Sequence, residues 1–80
     1  MPVPAADDRL RGRANDRARA VLDGILNTYP AGYVVLVDYL TSILNQMDMR
    51  RNYSNARTGR LLSERSDVKQ VRPGVWQVIR

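Results

Sequence analysis

Apolar residues recur at helical spacing in two stretches of the chain. Ala18, Val21, Leu22, Ile25 and Leu26 form one stripe, with Tyr29 continuing it and Arg17, Arg19, Asp23 and Asn27 on the other face. Asn15 suits a helix N-cap and Asp16 suits the positive end of the helix dipole, while Pro30 and Gly32 end the run, so the pattern predicts a first helix over about 16–28. Leu36, Leu40, Ile43, Leu44 and Met47 form the second stripe, opposite Asp38, Ser42, Asn45 and Asp48, and predict a second helix over about 36–47. Its apolar face holds no aromatic or ionisable group, which assigns it to the core. Between the two, Tyr33, Val34 and Val35 favour extended backbone and suit a short strand added to a sheet formed elsewhere.

The pattern changes after residue 50. A third helix is predicted to start at Ser54, a good N-cap, or at Asn52. Its apolar seam is narrow: Leu61 and Leu62 share a side with Ser54, Thr58 and Arg65, whereas Ala56, Arg57, Arg60 and Ser63 lie away from it. Gly59 inside this helix costs about 1 kcal/mol relative to Ala and calls for a reason, such as close approach of another helix or a phosphate. Ser66 and Asp67 break the helix. Val68 to Val71 and Val75 to Ile79 then read as two strands, joined by Arg72-Pro73-Gly74 with Pro and Gly at the central positions of a type II turn. In the second strand Trp76 and Val78 share one side, and Val75, Gln77 and Ile79 the other. Residues 1–14 hold two Pro and mixed charges and read as a flexible tail in which Arg9, Arg11 and Arg13 are solvated or form a basic arm, which leaves 15–80 as the folded domain.

Composition narrows the chemistry. Eighty residues make one small domain; with no Phe and one Trp the core is modest, and stability is expected to be a few kcal/mol unless the chain dimerises. The absence of Cys and His excludes disulfides, the usual zinc sites and His-dependent nucleophilic catalysis. No enzyme activity, cofactor or small-molecule ligand is expected, and the acids Asp7 and Asp8 read as solvated. No apolar run approaches the roughly 20 residues of a membrane span, and the N-terminus carries acids and lacks the apolar segment of a signal peptide, so a cytoplasmic protein without membrane contact is the expectation.

Charge points to a partner. Residues 1–49 hold five Arg against six acids, a net −1, while residues 50–80 hold eight Arg or Lys against two acids, a net +6. A split of this kind in a small domain predicts one basic face and a polyanionic partner. Arg57 and Arg60, three apart on the outer face of the third helix, suit base or phosphate contact, against the simpler reading of a solvated face. Asn55 suits either pairing with adenine or stabilising the first turn of its own helix. Arg50 and Arg51 suit phosphate near a helix N-terminus or are merely a charged loop. Lys69 and Arg72 suit phosphate or guard the hairpin edge. Tyr53 and Trp76 read as core cover and packing rather than stacking platforms.

The order helix, short strand, helix, helix, hairpin resembles a winged helix-turn-helix domain over about residues 16–80. The resemblance rests on that order, on the segment NARTGRLLSERSDV and on the basic hairpin ending in GVWQV. Several phage and bacterial winged-helix domains have a similar Gly-Arg-x-Leu run in the third helix and an aromatic in the last strand of the wing. The resemblance implies an α+β, mainly α fold of three helices and a C-terminal β-hairpin wing, binding double-stranded DNA with the third helix in the major groove and the wing along the backbone or minor groove. Carried onto this chain, Arg51, Asn52, Asn55, Arg57 and Arg60, with Arg50 beside them, would face DNA, and Lys69 and Arg72 would act from the wing. Thr58 and Arg65 depart from the family, which usually has aliphatic residues there, and the wing turn is short. The expected role is a small transcriptional regulator or a phage- or plasmid-type DNA-transaction protein, acting as a homodimer or within a larger assembly. The competing readings are a winged-helix protein–protein module and a small basic RNA- or ribosome-associated protein.

Overall fold

A computed structural model describes residues 6–47 and 52–80, with side chains from residue 15 onward. The chain is an α+β domain, mainly helical: α1 (Ala6–Leu26), β1 (Val34–Leu36), α2 (Val37–Met47), α3 (Asn55–Ser63), β2 (Val68–Arg72) and β3 (Val75–Val78). Three helices cover one face of a three-stranded antiparallel sheet in the order β1-β3-β2. The short strand after the first helix is present and pairs with β3, Val35 lying opposite Trp76.

The helix starts need one correction. α1 begins at Ala6, well before Asp16. Ala, Arg and Leu are good helix formers, and Asp7 and Asp8 fall in the first turn where the dipole favours acids. Asn15 is therefore an interior residue and not a cap. The side chains of Arg9, Arg11 and Arg13 lie outside the described residues. At the other end of α1 the Arg80 guanidinium donates to the Leu26 carbonyl at 2.7 Å and to the Tyr29 carbonyl. A cation there satisfies carbonyls that have no partner within the helix.

The core lies between the inner sheet face and the helices. Ala18, Leu22 and Leu26 of α1, Val37, Leu40 and Leu44 of α2, and Leu61 and Leu62 of α3 close over Val35, Val68, Trp76 and Val78. Tyr53 and Trp76 are buried, as packing residues should be. α3 is capped as its sequence predicts: the Ser54 hydroxyl accepts from the Arg57 amide at 3.1 Å. Its narrow seam is completed by a polar contact. Thr58 is fully buried, accepts from the Thr41 hydroxyl at 2.7 Å and donates to the Ser54 carbonyl at 3.1 Å. The position where the winged-helix pattern has an aliphatic residue thus carries a satisfied hydroxyl pair.

The β2–β3 hairpin turns through Pro73-Gly74, with Gly74 at φ 78°, as a type II turn requires. Its register shifts between Gln70, opposite Trp76, and Arg72, opposite Val75, which leaves Val71 as the extra residue of a bulge. Type II turns match the twist of paired strands poorly, and a bulge restores it. The turn also anchors α2, whose first amide, on Val37, donates to the Gly74 carbonyl at 2.9 Å.

Leu62→Ala is expected to lower stability by about 2–5 kcal/mol, read as a shifted denaturation midpoint at constant m-value; an unchanged midpoint would put Leu62 outside the core. Thr58→Val strands the Thr41 hydroxyl and is expected to cost about 1–3 kcal/mol, whereas Val at both 41 and 58 should recover most of that loss. A double-mutant cycle showing no coupling would remove the hydroxyl pair from the account of how α3 is held.

Candidate nucleic-acid interface

α3 is aimed by polar contacts from both other helices. From α2, the Asn45 side chain donates to the Tyr53 carbonyl at 3.0 Å and accepts from the Tyr53 amide at 2.5 Å, replacing a backbone partner and fixing the approach to α3. From α1, the Asn15 carbonyl oxygen accepts from Arg57 Nε at 3.0 Å and Nη2 at 2.7 Å, and the same guanidinium stacks 4.6 Å over the Tyr53 ring. At the far end of α3, Arg19 donates to Glu64 at 2.9 and 3.3 Å and to Asp16 at 3.0 Å. That hydrogen bond holds the Glu64 carboxyl below the usual carboxylate range, although both groups face solvent, which screens them.

Arg65 follows α3 and is tied down more firmly. It donates to Asp67 at 2.8 and 2.9 Å and to Asp23 of α1 at 3.1 Å, with its side chain largely buried. The hydrogen-bonded guanidinium depresses the Asp67 carboxyl from its ordinary value. This is the second departure from the winged-helix pattern, and it too has a built-in partner set.

These contacts divide the basic residues. Arg19, Arg57, Arg65 and Arg80 bond to the protein itself. Arg17, Arg60, Lys69 and Arg72 are exposed and have no side-chain partner among the described residues. The net +6 of the C-terminal part is therefore not a single basic face, because part of it braces the fold.

The predicted site residues separate in the same way. Arg50 and Arg51 lie outside the described residues. Asn52 is exposed just before α3. Asn55 is exposed at the start of α3, its amide 3.3 Å from the Asp38 carboxylate. Arg57 is half-buried against α1 and Tyr53 rather than on the outer face. Arg60 stands on the exposed ridge of α3, which runs through Ala56, Gly59 and Ser63 between a groove toward α1 and a groove toward the hairpin.

Lys69 pairs with Gln77 and Arg72 with Val75, so both lie on the sheet face away from Trp76 and Val78. Strict alternation would put residues three apart on opposite faces; the bulge at Val71 brings them to one. Gln70, Ser63 and Asp38, which the sequence did not single out, line the groove between α3 and the hairpin. A side chain added at Gly59 would meet no atom within 4 Å, so no neighbouring helix requires the glycine.

Among the described residues no cluster of three or more metal-ligating side chains occurs, and no helix is long and apolar enough to cross a membrane. No protein-family model, curated protein or solved structure matches the chain.

The Asp67 carboxyl is depressed in the folded state, so its contribution to stability is complete above the ordinary Asp value and is lost as pH falls through the depressed one. Arg65→Gln is expected to cost about 1–3 kcal/mol at neutral pH and much less in strong acid, where Asp67 is protonated. Melting temperatures measured across the acid range test this; an equal loss at every pH would show that the Arg65 stem, and not its ion pair, carries the effect.

Proposed function

We propose that the chain is a winged helix-turn-helix domain that binds double-stranded DNA, with α3 in the major groove and the β2–β3 hairpin as the wing. The observation that carries this reading is the set of unpartnered cations on α3 and the hairpin: Arg60, Lys69 and Arg72 are exposed while their neighbours Arg57 and Arg65 are bonded to the protein. Exposed guanidinium and ammonium groups release counterions on meeting phosphate, which is the main sequence-independent source of affinity for DNA.

In this mechanism the ridge of α3 lies along the groove floor. Ala56 and Gly59 keep the ridge low, and Gly59 has open space where a base or sugar would sit. Arg60 pairs bidentately with a guanine edge or grips a phosphate. Lys69 and Arg72 hold backbone phosphates from the hairpin, and Asn52, with Arg50 and Arg51 preceding it, meets the phosphate nearest the start of α3. Asn55 reaches adenine only by leaving Asp38, whose charge disfavours phosphate at that corner. Arg57 acts mainly as a brace that sets the angle of α3 against α1. The corresponding biological role is regulation of transcription or another DNA transaction.

Fluorescence anisotropy with a random-sequence duplex at several salt concentrations tests the proposal. Phosphate contacts by Arg60, Lys69 and Arg72 alone predict a slope of log affinity against log salt of about −3, or roughly a 40-fold loss between 50 and 200 mM, and contacts by Arg50 and Arg51 steepen it. Arg60→Gln should reduce that slope by about 1 if Arg60 meets phosphate, or relax one base position by about 1–3 kcal/mol if it reads a base. Salt-insensitive or absent binding would favour a protein-binding role, and preference for an RNA duplex in competition would favour the RNA-associated reading.

A further inference from the structure

We infer that the chain forms a two-fold homodimer through the flanks of α1 and α2 turned away from α3. Both helices direct their polar contacts to the α3 side: Asn15, Arg19 and Asp23 from α1, and Asp38, Thr41 and Asn45 from α2. The opposite flanks form an open apolar groove between Val21, Ile25 and Tyr29 on one wall and the i, i+4, i+8 stripe of Tyr39, Ile43 and Met47 on the other. Tyr39 is 55% exposed and Met47 66%, on positions that would normally be polar in a monomer. Tyr33, stacked on Tyr29 at 4.2 Å and 43% exposed, extends the surface.

Area and charge identify the occupant as a second copy. With about 200 Å² for a large side chain, Tyr33, Tyr39 and Met47 alone expose roughly 300 Å², and the half-buried groove walls add to it. The total falls within the range of the largest patch a monomer leaves open, about 300–600 Å², and approaches the roughly 600 Å² per partner at which stable interfaces begin. Among the described residues no charged side chain lines the groove, in a chain of net charge +5. An acidic partner or a nucleic acid would gain no complementarity here, whereas an uncharged surface meets its own copy without repulsion. Two-fold packing sets the Tyr39–Ile43–Met47 ridge of each copy into the other's groove, and an antiparallel arrangement keeps each Arg17, at the end of this flank, apart from the partner's Arg17. Met47 is unbranched and adapts to the groove wall. Both copies of α3 then face outward. An interface at this lower end of the size range is expected to give a weak, concentration-dependent dimer.

Sedimentation equilibrium of the full chain, without DNA, over about 1–200 µM should show the mass rising reversibly from 9.1 kDa toward twice that value. Tyr39→Glu combined with Met47→Glu should weaken association by roughly 100-fold while leaving the far-ultraviolet circular dichroism and melting profile of the monomer unchanged, because both positions are exposed. Tyr39→Lys alone should act in the same direction and guards against an effect peculiar to the paired acids. A wild-type chain that stays at 9.1 kDa throughout, or a dimer that resists these substitutions, overturns the inference. The readout contains no DNA, so it stands or falls separately from the DNA-binding proposal.

Discussion

Thr41 and Thr58 meet in the interior of the domain with their hydroxyls 2.7 Å apart, and the seating of α3 depends on that pair. The buried surface of α3 is small: Thr58, Leu61 and Leu62 are its only buried residues. A helix this short has little stability of its own and is held by its tertiary contacts. Its orientation therefore relies on directional bonds, and the hydroxyl pair sits at the centre of them. Asn45 holds the approach, Arg57 ties the first turn to α1, and Arg19 and Arg65 tie the far end. Hydrogen bonds fix position and angle more narrowly than dispersion does, because their strength falls steeply with misalignment. A short helix with a polar seam can in this way be as well oriented as a longer one with an apolar face.

The same need explains why the basic residues do not act as a group. An arginine near α3 can present its guanidinium to solvent or join the bracing of the fold. Where an acceptor lies within reach, as with Asn15 for Arg57 or Asp67 and Asp23 for Arg65, the planar fork is engaged by two or three bonds and unavailable to a partner. Arg60 makes no such bond among the described residues and stays exposed. Charge density along the chain thus overstates the charge offered at the surface. The two flanks of α1 and α2 obey a related division: the flank bonded to α3 is polar, and the other is left aliphatic and aromatic.

Much of the architecture was legible in the sequence. Period-3.6 stripes located α2 and the packing half of α1, Ser54 marked the start of α3, Pro73-Gly74 marked the turn, and Trp76 with Val78 marked the inner sheet face, because each of these signals is local. The start of α1 at Ala6 was not legible, since polar helix formers without an apolar stripe resemble a solvated tail. The α+β class and a short strand around Tyr33, Val34 and Val35 followed from element order and β-favouring residues; the strand runs Val34–Leu36, one residue later, because pairing with β3 is what makes so short a segment a strand.

The site was legible as residue types but not as a constellation. Sequence by itself determined where the cations are concentrated, that thiol and imidazole chemistry is absent, and which helix carries the exposed ridge. Tertiary structure decided which cations remain accessible, because Arg57 is engaged by Asn15 of α1, 42 residues away, and Arg65 is held between its neighbour Asp67 and Asp23 of α1, again 42 residues away. It also decided that Lys69 and Arg72 share a sheet face, because a single bulged residue at Val71 reverses the alternation that sequence spacing implies. In both instances the deciding quantity is a contact between segments distant along the chain or a shift of register, and neither is encoded in the local pattern of polar and apolar residues.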